Sequence, residues 1–71
     1  MGFPEQLRTI RKEKKLNQTA VAKEVKLSLK QIQRYESGDS EPTLSALLAL
    51  ADYFDVSLDY LVGRSDNPER R

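Results

Sequence analysis

The sequence predicts an all-α fold, a compact domain built from five short helices. Apolar residues recur at intervals of three or four, as they do on one face of a helix. Asn, Ser or Thr precedes four of these segments and Gly follows two of them, and these residue types commonly begin and end helices. No segment alternates apolar and polar residues with period two, and no internal repeat is present, so strands and repeat architectures are not expected.

The first predicted helix runs from Pro4 to Lys15. Proline suits the first turn of a helix, where its missing N–H has no intrahelical acceptor. Leu7 and Ile10 are three residues apart and are expected to point inward. Leu16 is then expected to pack at the junction with the second helix.

The next two helices are predicted to be joined by a short turn. Asn17 begins a helix that continues to Val25, and little chain remains before Ser28, a second N-cap residue. Ser28 begins the helix Leu29–Glu36, which Ser37 and Gly38 terminate. Two helices separated by so short a turn form a helix-turn-helix unit, whose second helix can lie in the major groove of DNA.

Two further helices complete the predicted domain. Thr43 begins a strongly apolar helix, Leu44–Phe54, and Ser57 begins a last short helix, Leu58–Val62, which Gly63 closes. The core stripe of the fourth helix is expected to contain Leu44, Leu47, Leu48, Leu50, Ala51 and Phe54. We therefore expect one domain over residues 1–63 and a polar, frayed tail over residues 64–71.

Composition excludes several classes of function. The 71 residues include no cysteine and no histidine, which removes disulfides, zinc fingers, thiolate nucleophiles and the commonest general base. There is no Gly-rich phosphate loop, and Ser28 with Lys30 is better explained by helix capping and surface charge than as a catalytic pair. No apolar stretch approaches the ~20 residues that cross a bilayer. We expect a cytoplasmic protein that is not an enzyme and binds no cofactor, metal or membrane.

Charge is unevenly distributed along the chain. The overall net charge is only +1, but residues 1–34 hold nine Lys and Arg against three Glu, a net charge of +6. The remaining residues have a net charge of −5. A chain polarised in this way can present one side to a polyanion such as DNA.

The third helix carries the side chains expected to contact bases. Ile32 and Tyr35 point toward the core, and the opposite face carries Lys30, Gln33, Arg34 and Ser37, with Leu29 in the first turn. Lys30 and Arg34 can donate to guanine, Gln33 can pair with adenine, and Leu29 can meet a thymine methyl group. The alternative is that these residues form an ordinary solvated face, and the capped two-helix frame favours the DNA interpretation.

Phosphate contacts are expected near the helix ends. Asn17 and Gln18 open the second helix, where free backbone N–H groups and the helix dipole favour an anion. Ser28 and Ser37, at the two ends of the third helix, are assigned to the same group. The alternative for Gln18 is a surface side chain with no partner.

The last helix is apolar on more sides than one small core requires. Leu58, Tyr60 and Val62 are therefore expected to form a partner surface, with a second copy of this chain as the expected partner. An alternative function is an antitoxin-like or adaptor module that binds another protein through the same residues.

Several motifs in this order resemble the phage repressor and Cro-type (XRE-like) helix-turn-helix family. They are Leu16–Val25, Arg34–Gly38, Glu41–Thr43 and Val56–Gly63. The resemblance implies a five-helix, lambda-repressor-like domain that binds a palindromic operator in double-stranded DNA as a homodimer and regulates transcription, most often as a repressor. By position it implies base contacts by Leu29, Lys30 and Arg34, with Gln33 beside them, phosphate contacts by Asn17 and Gln18, an ion pair between Arg11 and Glu36, and dimer contacts by Leu58 and Tyr60.

Two positions depart from the family pattern. Many relatives have glycine in the turn where this chain has Lys26, and a left-handed conformation there costs roughly 1–2 kcal/mol. Some repressors reach the minor groove with a basic loop after the third helix, whereas Asp39 and Glu41 make this loop acidic. We expect little minor-groove contact from it.

Overall fold

A computed structural model describes residues 2–70 and contains five α-helices, as the sequence predicts. The helices are α1 (Phe3–Glu13), α2 (Gln18–Val25), α3 (Leu29–Ser37), α4 (Leu44–Phe54) and α5 (Leu58–Leu61). No β-strand occurs within residues 2–70. In that same range, none of the helices combines the length and the apolar character that crossing a membrane requires.

The four predicted N-cap residues all form the expected bond to a backbone N–H three residues later. The acceptors are Asn17 Oδ1 (2.7 Å), Ser28 Oγ (3.0 Å), Thr43 Oγ1 (3.1 Å) and Ser57 Oγ (3.1 Å). Each cap satisfies one of the N–H groups that a helix start leaves without an intrahelical acceptor. Helix α1 instead has Gly2 at its N-cap position, which provides no side-chain cap, and Pro4 lies in its first turn.

The turn between α2 and α3 is tight although it lacks glycine. Lys26 adopts the left-handed conformation with φ 60°, and the N–H of Leu27 returns to the carbonyl of Ala22 at 2.9 Å. This 6→1 bond is that of a Schellman motif, which normally places glycine at the left-handed position. Lys26 therefore carries the strain expected from the sequence, and the turn keeps the shape that holds α3 against α2.

The core lies where α1 and α2 pack on α3, while α4 packs on α2 and α5. The predicted inward residues Leu7, Ile10, Ile32 and Tyr35 are all buried. The remaining buried apolar residues are Val21, Ala22, Val25, Ala46, Leu50, Ala51, Phe54, Val56 and Leu61. Leu16 packs against this core at the α1–α2 junction, as expected. The core thus fixes α3 from two sides and leaves its opposite face free.

The predicted core stripe of α4 is wrong at two positions. Leu44 is 68% exposed and Leu48 is 44% exposed, while Ala46 is buried instead. Helix α4 buries the face that meets α2 and α5, whereas the side that carries Leu44 and Leu48 stays exposed. Periodicity alone could not separate these two sides, because leucines occur on both.

The ends of the fold also differ from expectation. Helix α1 ends at Glu13 rather than Lys15, because Lys15 is left-handed with φ 58°. The tail is not frayed over residues 64–70, because it folds back on α4 and α5. The Arg70 guanidinium donates to the Ala51 carbonyl at 2.9 Å and pairs with Asp52 at 2.7 Å, and the Pro68 carbonyl accepts from the Ser57 N–H at 3.0 Å.

Candidate nucleic-acid interface

The outward face of α3 carries the four side chains that the sequence assigns to base contacts. Lys30, Gln33 and Arg34 are exposed, and Leu29 in the first turn is 40% exposed. None of the ion pairs formed within residues 2–70 uses Lys30 or Arg34. The side chains of Lys30, Gln33 and Arg34 also form no hydrogen bond to other residues in that range, so their polar groups are available to a ligand.

Helix α3 is held in place by Glu36, which is 3% exposed. Its carboxylate accepts hydrogen bonds from Arg11 Nε at 2.6 Å and Arg11 Nη2 at 3.0 Å, and from Gln18 Nε2 at 3.2 Å. The ion pair expected between Arg11 and Glu36 is therefore present in a bidentate geometry, which fixes orientation as well as distance. Because Arg11 belongs to α1 and Gln18 to α2, this one carboxylate joins three helices.

The environment of Arg11 keeps its charge. The hydrogen bonds that Arg11 donates to the Glu36 carboxylate raise the pKa of the guanidinium, and burial opposes that effect without reversing it. A further Arg11 N–H donates to the Leu16 carbonyl at 2.9 Å. Both the guanidinium and the carboxylate thus have hydrogen-bond partners, as the members of a mostly buried ion pair require.

The four residues assigned to phosphate contacts differ in the donors they retain. The Asn17 cap bond uses the side-chain oxygen and leaves the amide NH₂ free, and the Ser28 cap bond likewise leaves the hydroxyl hydrogen free. Gln18 donates one amide hydrogen to Glu36 and keeps the other. Ser37 donates its single hydroxyl hydrogen to the Arg34 carbonyl at 3.1 Å. A phosphate contact by Ser37 would require that bond to break, so Ser37 is the weakest of the four.

The residues assigned to the dimer contact are only partly available. Leu58 is 39% exposed, whereas Tyr60 is half-buried and packs against the core. Val62 is half-buried and lines an open cavity of about 390 Å³ together with Leu47 and Pro42. Leu58 is thus the most accessible of the three, and the exposed leucines of α4, which the sequence placed in the core, also contribute apolar surface.

From the sequence, Arg8 counts only as one of the nine basic residues in positions 1–34. Arg8 of α1 donates from Nη1 to the backbone carbonyl of Glu36 at 2.8 Å. The signal available in the sequence was its position three residues before Arg11, which places both arginines on one side of α1. That spacing could not reveal that the acceptor is a backbone carbonyl at the end of α3.

Comparison with known proteins gives consistent results. A helix-turn-helix family profile matches residues 7–61. The uncharacterized HTH-type transcriptional regulator YobD of Bacillus subtilis (strain 168) is 34% identical over 67 residues, which are 94% of this chain and 60% of that protein. The cryptic phage CTXphi transcriptional repressor RstR of Vibrio cholerae is 38% identical over 64 residues, which are 90% of this chain and 57% of that protein. The chain therefore spans about 60% of the length of these relatives.

A solved structure shows the same fold. The P22 c2 repressor, crystallised in complex with a synthetic operator, superposes with a TM-score of 0.85 and 34% sequence identity, over 92% of this chain and 98% of that one. These relatives are described as regulators and repressors, not as enzymes, in agreement with the sequence. With its five helices, its capped two-helix unit and the match over residues 7–61, the chain belongs to the phage repressor and Cro-type helix-turn-helix family.

Proposed function

We propose that this protein is a sequence-specific DNA-binding regulator of transcription, a repressor that binds a palindromic operator as a homodimer with α3 in the major groove. The observation that carries the proposal is the outward face of α3. Three long polar side chains, Lys30, Gln33 and Arg34, project from it without partners in the described part of the chain. The Glu36 anchor at the end of the same helix keeps that face rigid.

Direct readout follows from the chemistry of these side chains. Lys30 and Arg34 supply donors for the O6 and N7 acceptors of guanine, and the Gln33 amide can pair with the N6 and N7 of adenine. Leu29 offers an apolar surface to a thymine methyl group. Leu29 and Lys30 lie in the first turn of α3, the part of a recognition helix that most often contacts base edges.

Affinity is assigned to the basic N-terminal half of the chain. Asn17 and Ser28 retain donors next to the N-termini of α2 and α3, where the helix dipoles favour a phosphate oxygen. Gln18 keeps one donor beside them. These contacts would position the domain on the duplex, whereas the α3 face would select the sequence.

In a homodimer, each copy of this small domain would bind one half of a palindromic site. Exposed Leu58 on α5 supplies apolar surface for a contact between copies, and an isologous contact would match the two-fold symmetry of a palindrome. The relative RstR and the P22 c2 protein are both named repressors, which supports repression as the outcome here.

Selection of binding sites from random duplexes at a stated salt concentration tests the proposal. We expect a palindromic sequence to be enriched, and we expect Lys30→Ala and Arg34→Ala to lose the preference at one position per half-site, at a cost of about 1–3 kcal/mol each. Arg64→Ala is the matched control, because it removes one exposed positive charge from the acidic half of the chain. The absence of an enriched sequence, or unchanged preference in both variants, contradicts the proposal.

The second candidate function is a protein-interaction module. The observation that favours it is the exposure of three leucines, Leu44 at 68%, Leu48 at 44% and Leu58 at 39%. A partner protein that co-purifies at equal stoichiometry, with DNA affinity that hardly changes between low and moderate salt, would support this function. A steep salt dependence together with an enriched operator would support the first.

A further inference from the structure

We propose that Arg8 is a DNA-backbone contact of this interface, placed by its bond to the end of α3 so that it presents a guanidinium to a phosphate. The inference rests on the proposed function and deepens it, because it names a contact on α1, outside the helix-turn-helix unit.

The position of Arg8 follows from the contacts that meet at Glu36. Arg8 Nη1 donates to the Glu36 backbone carbonyl at 2.8 Å, while the Glu36 carboxylate accepts from Arg11 and, at 3.2 Å, from Gln18. The side chains of Arg8 and Gln18 therefore both contact Glu36, one at its backbone carbonyl and the other at its carboxylate. Gln18 opens α2, next to the free donors of Asn17, so Arg8 lies along the edge where the phosphate contacts are expected.

The guanidinium of Arg8 has donors to spare. A guanidinium carries five N–H donors, and Arg8 uses one of them within residues 2–70. Its side chain is exposed, in contrast to Arg11, whose side chain is 12% exposed and engaged by the Glu36 carboxylate. An arginine held at one nitrogen and free at the others is suited to a phosphate, which guanidinium groups bind in fork geometry.

The local charge favours a second positive group near the end of α3, beside Arg34 in the last turn of that helix. The C-terminus of α3 carries the negative end of the helix dipole, and the loop that follows adds Asp39 and Glu41, both exposed. These charges would repel a phosphate at that end of the recognition helix. Arg8 brings a positive charge to this point through its bond to the Glu36 carbonyl, and so offsets them.

A purely structural role would be to cap α3 and to tie it to α1. Such a role alters stability but does not change the number of counterions released when DNA binds. A phosphate contact does, because the logarithm of the binding constant falls with the logarithm of salt concentration by about 0.9 per contact. The salt slope therefore separates the two roles.

The experiment measures DNA affinity between 0.1 M and 0.5 M salt for the wild type, Arg8→Gln, Arg8→Lys and the control Arg64→Ala. The probes are the duplex enriched by selection and an unrelated duplex of equal length, and a melting curve is recorded for each variant. Arg8→Gln keeps a donor for the Glu36 carbonyl but loses the charge. We expect its slope to fall by about 0.9, with affinity about eightfold weaker at 0.1 M and about twofold weaker at 0.5 M, on both probes.

Arg8→Lys and Arg64→Ala are expected to keep the wild-type slope. A wild-type slope in Arg8→Gln overturns the proposal for Arg8, whether or not the melting temperature falls. If selection enriches no sequence, the proposed function fails. A wild type that binds selectively while Arg8→Gln retains the full slope refutes the role of Arg8 alone.

Discussion

Removal of the Glu36 carboxylate should lower the stability of the domain before it alters DNA specificity. In Glu36→Ala, the Arg11 guanidinium keeps its bond to the Leu16 carbonyl but loses two charge-assisted bonds, at 2.6 and 3.0 Å. The Gln18 amide loses its partner as well. The variant therefore leaves a mostly buried positive charge without its counter-ion, which is the costly way to break such a pair.

The magnitude follows from the burial of the two side chains. Hydrogen bonds to charged groups contribute about 1.5–3 kcal/mol each, and one-sided removal of a buried pair costs about 3–5 kcal/mol. The side chain of Arg11 is 12% exposed and that of Glu36 is 4% exposed, so some solvent reaches the orphaned guanidinium and we expect a loss of about 3 kcal/mol. A chain of this length has a total stability of about 4–10 kcal/mol. The melting temperature should fall by roughly 12–24 °C.

Urea unfolding followed by far-ultraviolet circular dichroism measures this loss, provided that the m value stays constant. Asp52→Ala is the control, because the Arg70–Asp52 pair has side chains 42% and 70% exposed and should contribute less than about 1 kcal/mol. The double variant Arg11→Met with Glu36→Leu should recover most of the stability, since it removes both buried charges. A loss below about 0.5 kcal/mol in Glu36→Ala, or a double variant no more stable than it, refutes the reasoning.

Three further outcomes are expected. Asn17→Asp keeps the acceptor for the Ala20 N–H but replaces the free amide donors with a negative charge. DNA affinity should therefore fall at least about tenfold at 0.1 M salt, while the melting temperature stays unchanged. An affinity equal to that of the wild type would show that Asn17 is not part of the interface. Lys26→Gly should raise the urea-unfolding free energy by about 0.5–1 kcal/mol, because relief of left-handed strain exceeds the added chain entropy, and a loss would contradict that balance. Leu58→Asp should yield a folded monomer in sedimentation velocity, and a persistent dimer would locate the contact elsewhere.

The sequence predicted the helices and the outward face of α3 because both depend on neighbours within four residues. A cap such as Ser28 bonds a backbone N–H three residues on, and the position of Ile32 and Tyr35 on one face follows from the helical period. The capped pair of helices and the quoted motifs were also enough to identify the family, which the match over residues 7–61 confirms.

The predictions that failed concern surfaces between helices that are distant in sequence. Leu44 and Leu48 were assigned to the core because α4 is apolar on several sides, and only the packing of α4 on α2 and α5 shows which side is covered. The tail was expected to fray because its composition is polar, but Arg70 donates a hydrogen bond to the carbonyl of Ala51, nineteen residues earlier in the chain.

Local chain chemistry was therefore sufficient for the order of the helices, their N-terminal caps and the side chains on the outward face of α3. The contact of Arg8 with the Glu36 carbonyl and the exposure of the α4 leucines became visible only once the helices were packed together. The physical reason is the separation along the chain between the groups that interact. Caps and helix faces are set by hydrogen bonds and periodicity over a few residues, whereas a bond between residues 8 and 36 requires two helices to meet in space.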